Sequence, residues 1–140
     1  MSSKRFHMSL PCQDVNKTSK FYEDELGFDI GRKSYYWVDI NLLGNQITFT
    51  LDDNFTLKTK HYAFEEVLLP SFHFGILLDE ETWTKYYSKF KGKDYFAMGA
   101  VKFLEYKKGQ HQSFFIEDVN GYFIEFKNFT NQEQIFENND

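Results

Sequence analysis

The sequence predicts an α+β fold of two β-α-β-β-β modules whose mixed sheets curve around a cavity. Three observations predict it. The dipeptide Phe-His occurs twice, as Phe6-His7 and Phe72-His73; each copy opens a strand-like alternation; and each is followed by an acidic residue and then a helix-like apolar stripe. Phe21 follows His7 by as many positions as Tyr87 follows His73, so the two histidines hold equivalent places in a duplicated unit.

In the first module, about residues 4–52, Phe6, Met8 and Leu10 alternate with Arg5, His7 and Ser9. That period is a strand's, with its histidine on the face away from the core. Pro11 closes the strand, and Asp14 caps a helix whose Val15, Ser19, Tyr22 and Leu26 share one stripe until Gly27 ends it. Strands are expected next at 28–32, 36–42 and 46–51, with Lys33-Ser34 and Leu43-Gly44-Asn45 as the turns. Residues 53–70 show no clean period, so they are read as a connection between modules or a flap over the cavity.

The pattern restarts in the second module, about residues 71–129. Phe72, Phe74 and Ile76 alternate with His73, Gly75 and Leu77; Asp79 or Glu80 caps a helix with Trp83, Tyr86, Tyr87 and Phe90 on one face; Lys91-Gly92-Lys93 ends it. A strand is expected at 100–106, then a hairpin of strands 112–117 and 122–127 around Asp118-Val119-Asn120-Gly121, where Asn-Gly is a strong turn signal. The modules make one domain spanning 1–129, and the polar tail 130–140 is expected to be loosely ordered.

Composition narrows the function. Sixteen Lys and Arg against twenty-one Asp and Glu leave a net charge of −5 with no basic stripe, which argues against nucleic acid as a partner. No apolar run approaches the length of a membrane span, and the N-terminus lacks a signal-like core, so a cytoplasmic protein with no membrane partner is expected. Cys12 stands alone, is read as a small apolar residue, and excludes an intrachain disulfide. Aromatic residues make up 20% of the chain, enough to furnish both a core and an apolar ligand cavity. Phosphate-binding glycine loops, Gly-x-Ser-x-Gly and His-Glu-x-x-His are all missing.

If each helix covers one face of its own sheet, the opposite faces line the cavity. Strand parity puts His7, His73 and Glu125 on those helix-distal faces. Any one of them alone would read as a hydrogen-bonded or solvated structural residue. Together, two imidazoles and a carboxylate suit one divalent ion, Fe, Mn, Ni, Zn or Co, with positions left open for substrate. Matching Gly44 to Gly121 places Thr48 opposite Glu125 in the duplicated pattern, but neither Thr48 nor Thr50 is a good ligand; Gln46 is a weak one. His61 and His111 read as surface residues, with His111 a weaker candidate for a catalytic acid or base.

The segments Phe6-His7-Met8-Ser9-Leu10, Phe21-Tyr22-Glu23-Asp24-Glu25-Leu26-Gly27-Phe28, Phe72-His73-Phe74-Gly75 and 114–127 resemble the vicinal oxygen chelate superfamily, which includes glyoxalase I, extradiol dioxygenases, fosfomycin-resistance enzymes and bleomycin-binding proteins. The resemblance implies paired β-α-β-β-β modules, a homodimer, metal ligands at His7, His73 and Glu125, and bidentate chelation of a small substrate by the metal as Lewis acid. It implies a metalloenzyme, with extradiol-type dioxygenation as the leading reaction. A glyoxalase-like lyase or isomerase and a fosfomycin-type transferase, with Ser9 as its hydroxyl, are the alternatives within that class. A non-catalytic binder of bleomycin-resistance type is the alternative outside it.

Overall fold

The computed structural model describes residues 4–139, which form two compact units, one ending at Leu57 and one beginning at Lys58. The first holds β1 (His7–Cys12), α1 (Val15–Lys20) continued by a wide π-helical turn (Phe21–Glu25), β2 (Ile30–Lys33), β3 (Trp37–Leu42) and β4 (Asn45–Leu51). The second opens with a hairpin of β5 (His61–Phe64) and β6 (Val67–Pro70), then repeats the pattern as β7 (Phe74–Leu77), α2 (Glu80–Phe90), β8 (Phe96–Phe103), β9 (His111–Glu117) and β10 (Phe123–Phe129). The sheets have matching strand orders, β1-β4-β3-β2 and β7-β10-β9-β8, in which the first strand runs parallel to the last and the remaining pairs are antiparallel. The duplication read from the sequence is therefore present in the topology. No helix among the described residues is long and apolar enough to cross a membrane.

Each helix starts where its cap says it should. The Asp14 carboxylate accepts from the Lys17 amide and the Asp79 carboxylate from the Thr82 amide, each at 2.8 Å, satisfying donors that the first turn leaves open. In the second unit, Trp83 and Phe90 of α2 pack on Phe114 and Phe126, whose rings stack with centroids 4.8 Å apart, and the Trp83 indole donates to the Phe126 carbonyl at 2.8 Å. In the first unit Val38, Ile40, Ile47 and Phe49 are buried on the α1 side of β3 and β4. Burial of these faces under the helices leaves the alternate positions free for a site.

Several boundaries differ from the sequence reading. The segment 53–70 contains a real hairpin, and its turn residues Glu65 and Glu66 both have positive φ, 49° and 69°. A two-residue turn of this hand normally uses Asn or Gly, so a Glu-Glu pair hides it. Leu69 of that hairpin is buried with Phe103 and Phe115, and Phe64 and Val67 pack against the same cluster, so the hairpin covers part of the helix-distal face of the second sheet. The strand expected at 100–106 runs over Phe96–Phe103 instead; two register breaks against β9 scramble its alternation, and Leu104 and Tyr106 turn the chain with positive φ. In the first unit β2 starts at Ile30 because the Phe28 amide closes back on the Tyr22 carbonyl at 2.9 Å. Within the polar tail, Gln134 and Asn139 side chains accept from the amides of Gly109 and Lys108 at 3.0 and 2.9 Å, so the tail is tied to the β8–β9 connection rather than loose.

Candidate metal and ligand site

Glu125 lies mid-strand on β10, paired with Phe115 of β9 and, on its other side, with Gly75 of β7. Parity turns it away from α2, and the residue is only 8% exposed. A carboxylate this buried needs partners. Its Oε2 accepts from the Ser113 hydroxyl at 2.5 Å, and its Oε1 faces the His73 Nε2 at 3.2 Å. Sequence reading placed His73 inside a strand; β7 begins one residue later, and His73 sits in the turn that leaves Pro70. Its Nδ1 lies 2.9 Å from the Pro70 carbonyl, and its ring meets Phe115 edge to face at 5.6 Å.

The chemistry follows from that orientation. A carbonyl only accepts, so Nδ1 carries the hydrogen, and in the neutral ring Nε2 then presents a lone pair to the Glu125 carboxylate. Two acceptors face each other, and only a shared cation makes the contact favourable. A proton serves in the metal-free protein: the Glu125 hydrogen bond holds the His73 pKa above its ordinary value of 6.5, against the opposing effect of burial. Burial alone would push Glu125 up, but the hydrogen bonds from His73 and Ser113 outweigh it and hold its pKa below the ordinary 4.5. An imidazole fixed by Nδ1–H to a backbone carbonyl is also the arrangement that directs Nε2 to a metal. The donors thus fit the expected ion. Within either unit, among the described residues, no third His, Cys, Asp or Glu joins the pair into a ready-made cage.

A pH dependence is expected in the metal-free protein. Glu125, lowered on folding, stabilises above its ordinary value and loses that contribution as pH falls through its folded pKa; His73, raised on folding, stabilises below its ordinary value and loses it as pH rises through its folded pKa. The stability lost in Glu125→Gln should therefore be largest between pH 4.5 and 6.5 and shrink on both sides. Thermal unfolding of both proteins across pH in the presence of a chelator checks this, and a difference that does not vary with pH contradicts it.

In the first unit, His7 opens β1 in register with Gln46 of β4 and is exposed, as is Ser9, which pairs with Thr48. Thr50 is exposed opposite Trp37. Thr48 and Gln46 are both committed to a residue that sequence reading passed over: the Asp39 carboxylate, 5% exposed, accepts from the Thr48 hydroxyl at 2.7 Å, the Gln46 amide at 3.1 Å and the Arg32 Nε at 2.9 Å. Burial opposes its ionisation, but these donors and the guanidinium charge hold its pKa below the ordinary range. The signal was available, since Asp39 lies directly across from Thr48 on the helix-distal side of β3.

His111 is not a surface residue. It is 7% exposed, its Nδ1 lies 2.8 Å from the Gly109 carbonyl, and its ring packs against Phe64, Phe103 and Phe129. Burial depresses its pKa, leaving a neutral imidazole. His61 is exposed, and the Cys12 side chain is fully buried.

A family model described as the Glyoxalase/Bleomycin resistance protein/Dioxygenase superfamily matches residues 4–126. The chain is similar to the solved structure of a glyoxalase/bleomycin resistance protein/dioxygenase from Alicyclobacillus acidocaldarius, with 21% identity, coverage of 96% of this chain and 97% of that one, and a TM-score of 0.81. It is similar to the fosfomycin resistance protein FosX of Listeria monocytogenes at 16% identity, 98% and 100% coverage and a TM-score of 0.68. A possible glyoxalase from Bacillus cereus gives 20% identity, 89% and 98% coverage and a TM-score of 0.58. At these identities the likeness is one of fold. No curated protein matches the chain.

Proposed function

Since the chain belongs to the glyoxalase/bleomycin resistance protein/dioxygenase superfamily, we propose that it is a metal-dependent enzyme acting on a small organic molecule that presents two adjacent oxygens. The observation that carries this reading is the contact of the His73 Nε2 with the Glu125 Oε1 while Nδ1 is tied to Pro70, which aims an imidazole lone pair and a buried carboxylate at one point. In this reading His73 and Glu125 hold a divalent ion, Fe, Mn, Ni, Zn or Co, and His7 is a third ligand supplied by the same chain or by the second copy of a homodimer. When bound, the ion supplies Lewis acidity to the paired oxygens.

The chain's own residues prepare that chemistry. Ser113 keeps the carboxylate ionised and fixes its rotamer, Pro70 fixes the imidazole tautomer, and Phe115 packs beside the pair so that water is displaced from one flank. His111, neutral by burial, is assigned the lesser role of acid or base; Gln46, Thr48 and Thr50 serve as cavity groups rather than ligands.

Extradiol-type ring cleavage is the leading reaction. Protein loaded with Fe(II) under anaerobic conditions and then exposed to catechol and oxygen should consume oxygen and form a ring-opened, absorbing product, and Glu125→Gln should abolish it. A glyoxalase-like isomerisation or a thiol transfer to an epoxide would leave oxygen untouched and give product in their own assays. Saturable binding of catechol with no product in any of them would replace catalysis by sequestration.

A further inference from the structure

The helix-distal face of the first unit contains a cleft of about 440 Å³ whose lining includes Arg5, His7, Arg32, Asp39 and Gln46. Arg32 is held there from two sides. Its Nε donates to the buried Asp39 at 2.9 Å, and its guanidinium carbon lies 5.2 Å from the centre of the Trp37 ring. Asp39 is itself fixed by Thr48 and Gln46, so the guanidinium is anchored to a rigid point of the sheet rather than to a mobile surface carboxylate. The Nε contact uses one of the five N–H donors; the terminal fork makes no hydrogen bond among the described residues, and the side chain remains 75% exposed. Arg5 has no ion-pair partner among the described residues.

We propose that this cleft is an oxyanion site, in which the terminal fork of Arg32 binds a carboxylate or phosphoryl group of a small molecule in bidentate fashion and Arg5 supplies a second positive charge. A planar fork already fixed by Asp39 and Trp37 loses little side-chain freedom on binding, which is where a pre-organised arginine gains over a free one. A lysine at position 32 would carry the charge but not the two parallel donors. The protein as a whole is negative, by −5, so binding here depends on the local pair of guanidinium groups rather than on long-range attraction. Nothing in the proposal requires a metal, and none of Arg5, Arg32 and Asp39 is assigned to the metal site.

The test is calorimetric or NMR titration of the full, chelator-treated chain with inorganic phosphate and, separately, with benzoate, using benzyl alcohol as the neutral control. Saturable binding of at least one anion and none of the alcohol is expected; the anion bound more tightly identifies phosphoryl or carboxylate as the preferred group. Arg32→Gln and Arg32→Lys should each weaken it by about tenfold or more, because each removes the charge-assisted fork. Arg5→Gln should weaken it less, and Lys33→Gln, an exposed neighbour outside the cleft, should leave it unchanged. Arg32 is exposed, so its variants are expected to fold, and far-UV circular dichroism verifies that. Failure of both anions to saturate at millimolar concentration, wild-type affinity in Arg32→Lys, or an equal loss in Lys33→Gln would each overturn the proposal. Because the titration is metal-free, these outcomes are independent of whether His73 and Glu125 bind an ion.

Discussion

Phe126→Ala is expected to lower the free energy of unfolding by about 3–5 kcal/mol, the usual cost of emptying a phenylalanine site in a packed core. Its ring is fully buried between α2 and the sheet, stacked on Phe114 and in contact with Tyr86 and Phe90, so no neighbour can swing in from solvent to fill the space. Phe126 also immediately follows Glu125, and a relaxed strand would carry the carboxylate away from Ser113 and His73. Phe136 offers the contrast: it is 97% exposed, and Phe136→Ala should change stability by no more than about 0.5 kcal/mol. Urea unfolding of the three proteins measures both, and a loss below about 1 kcal/mol for Phe126→Ala would mean that this core is not close-packed.

Gly75→Ala should combine a stability loss of about 3 kcal/mol with a weakened metal site. A Cβ built on Gly75 would lie 2.0 Å from the Glu125 carbonyl oxygen and 2.8 Å from its carbonyl carbon, and both are backbone atoms that no side-chain rotation can clear. Strands β7 and β10 would have to part at the one place where His73 and Glu125 must stay together. Gly44 is the internal control, since a Cβ there meets nothing within 4 Å and its cost comes only from its φ of 94°. The two effects are separable: Gly75→Ala should lose divalent-metal affinity even at temperatures where it remains folded, and retention of wild-type affinity would contradict the role assigned to this close approach.

Much of the fold was legible because its signals are local. Trp83, Tyr86, Tyr87 and Phe90 announce α2 at helical spacing, Asp14 and Asp79 cap where expected, and Asn120-Gly121 sets the register of the β9–β10 hairpin. That register also made the helix-distal place of Glu125 readable, and it would have made Ser113 readable, since Ser113 pairs with Lys127 on the same side of the sheet. What stayed hidden depends on backbone states that composition does not advertise. The β5–β6 hairpin turns on two glutamates with positive φ, and β8 loses its alternation to two register breaks. His73 has the residue type of a ligand but the setting of a turn, oriented by a backbone carbonyl three residues before it that no side-chain pattern reveals. Asp39 was passed over for a different reason: a lone strand carboxylate reads as solvated until its three donors are seen around it.

The central claim is that His73 and Glu125 hold a divalent metal ion, and equilibrium titration of chelator-treated protein with Fe(II), Mn(II), Ni(II), Zn(II) and Co(II), one at a time under anaerobic conditions, tests it most directly. One ion per chain should bind for at least one of these metals, with affinity falling by about tenfold or more in His73→Ala and in Glu125→Gln, and also in His7→Ala if His7 completes the set. Stoichiometric binding by none of the five metals, or binding that survives unchanged in both His73→Ala and Glu125→Gln, would contradict it.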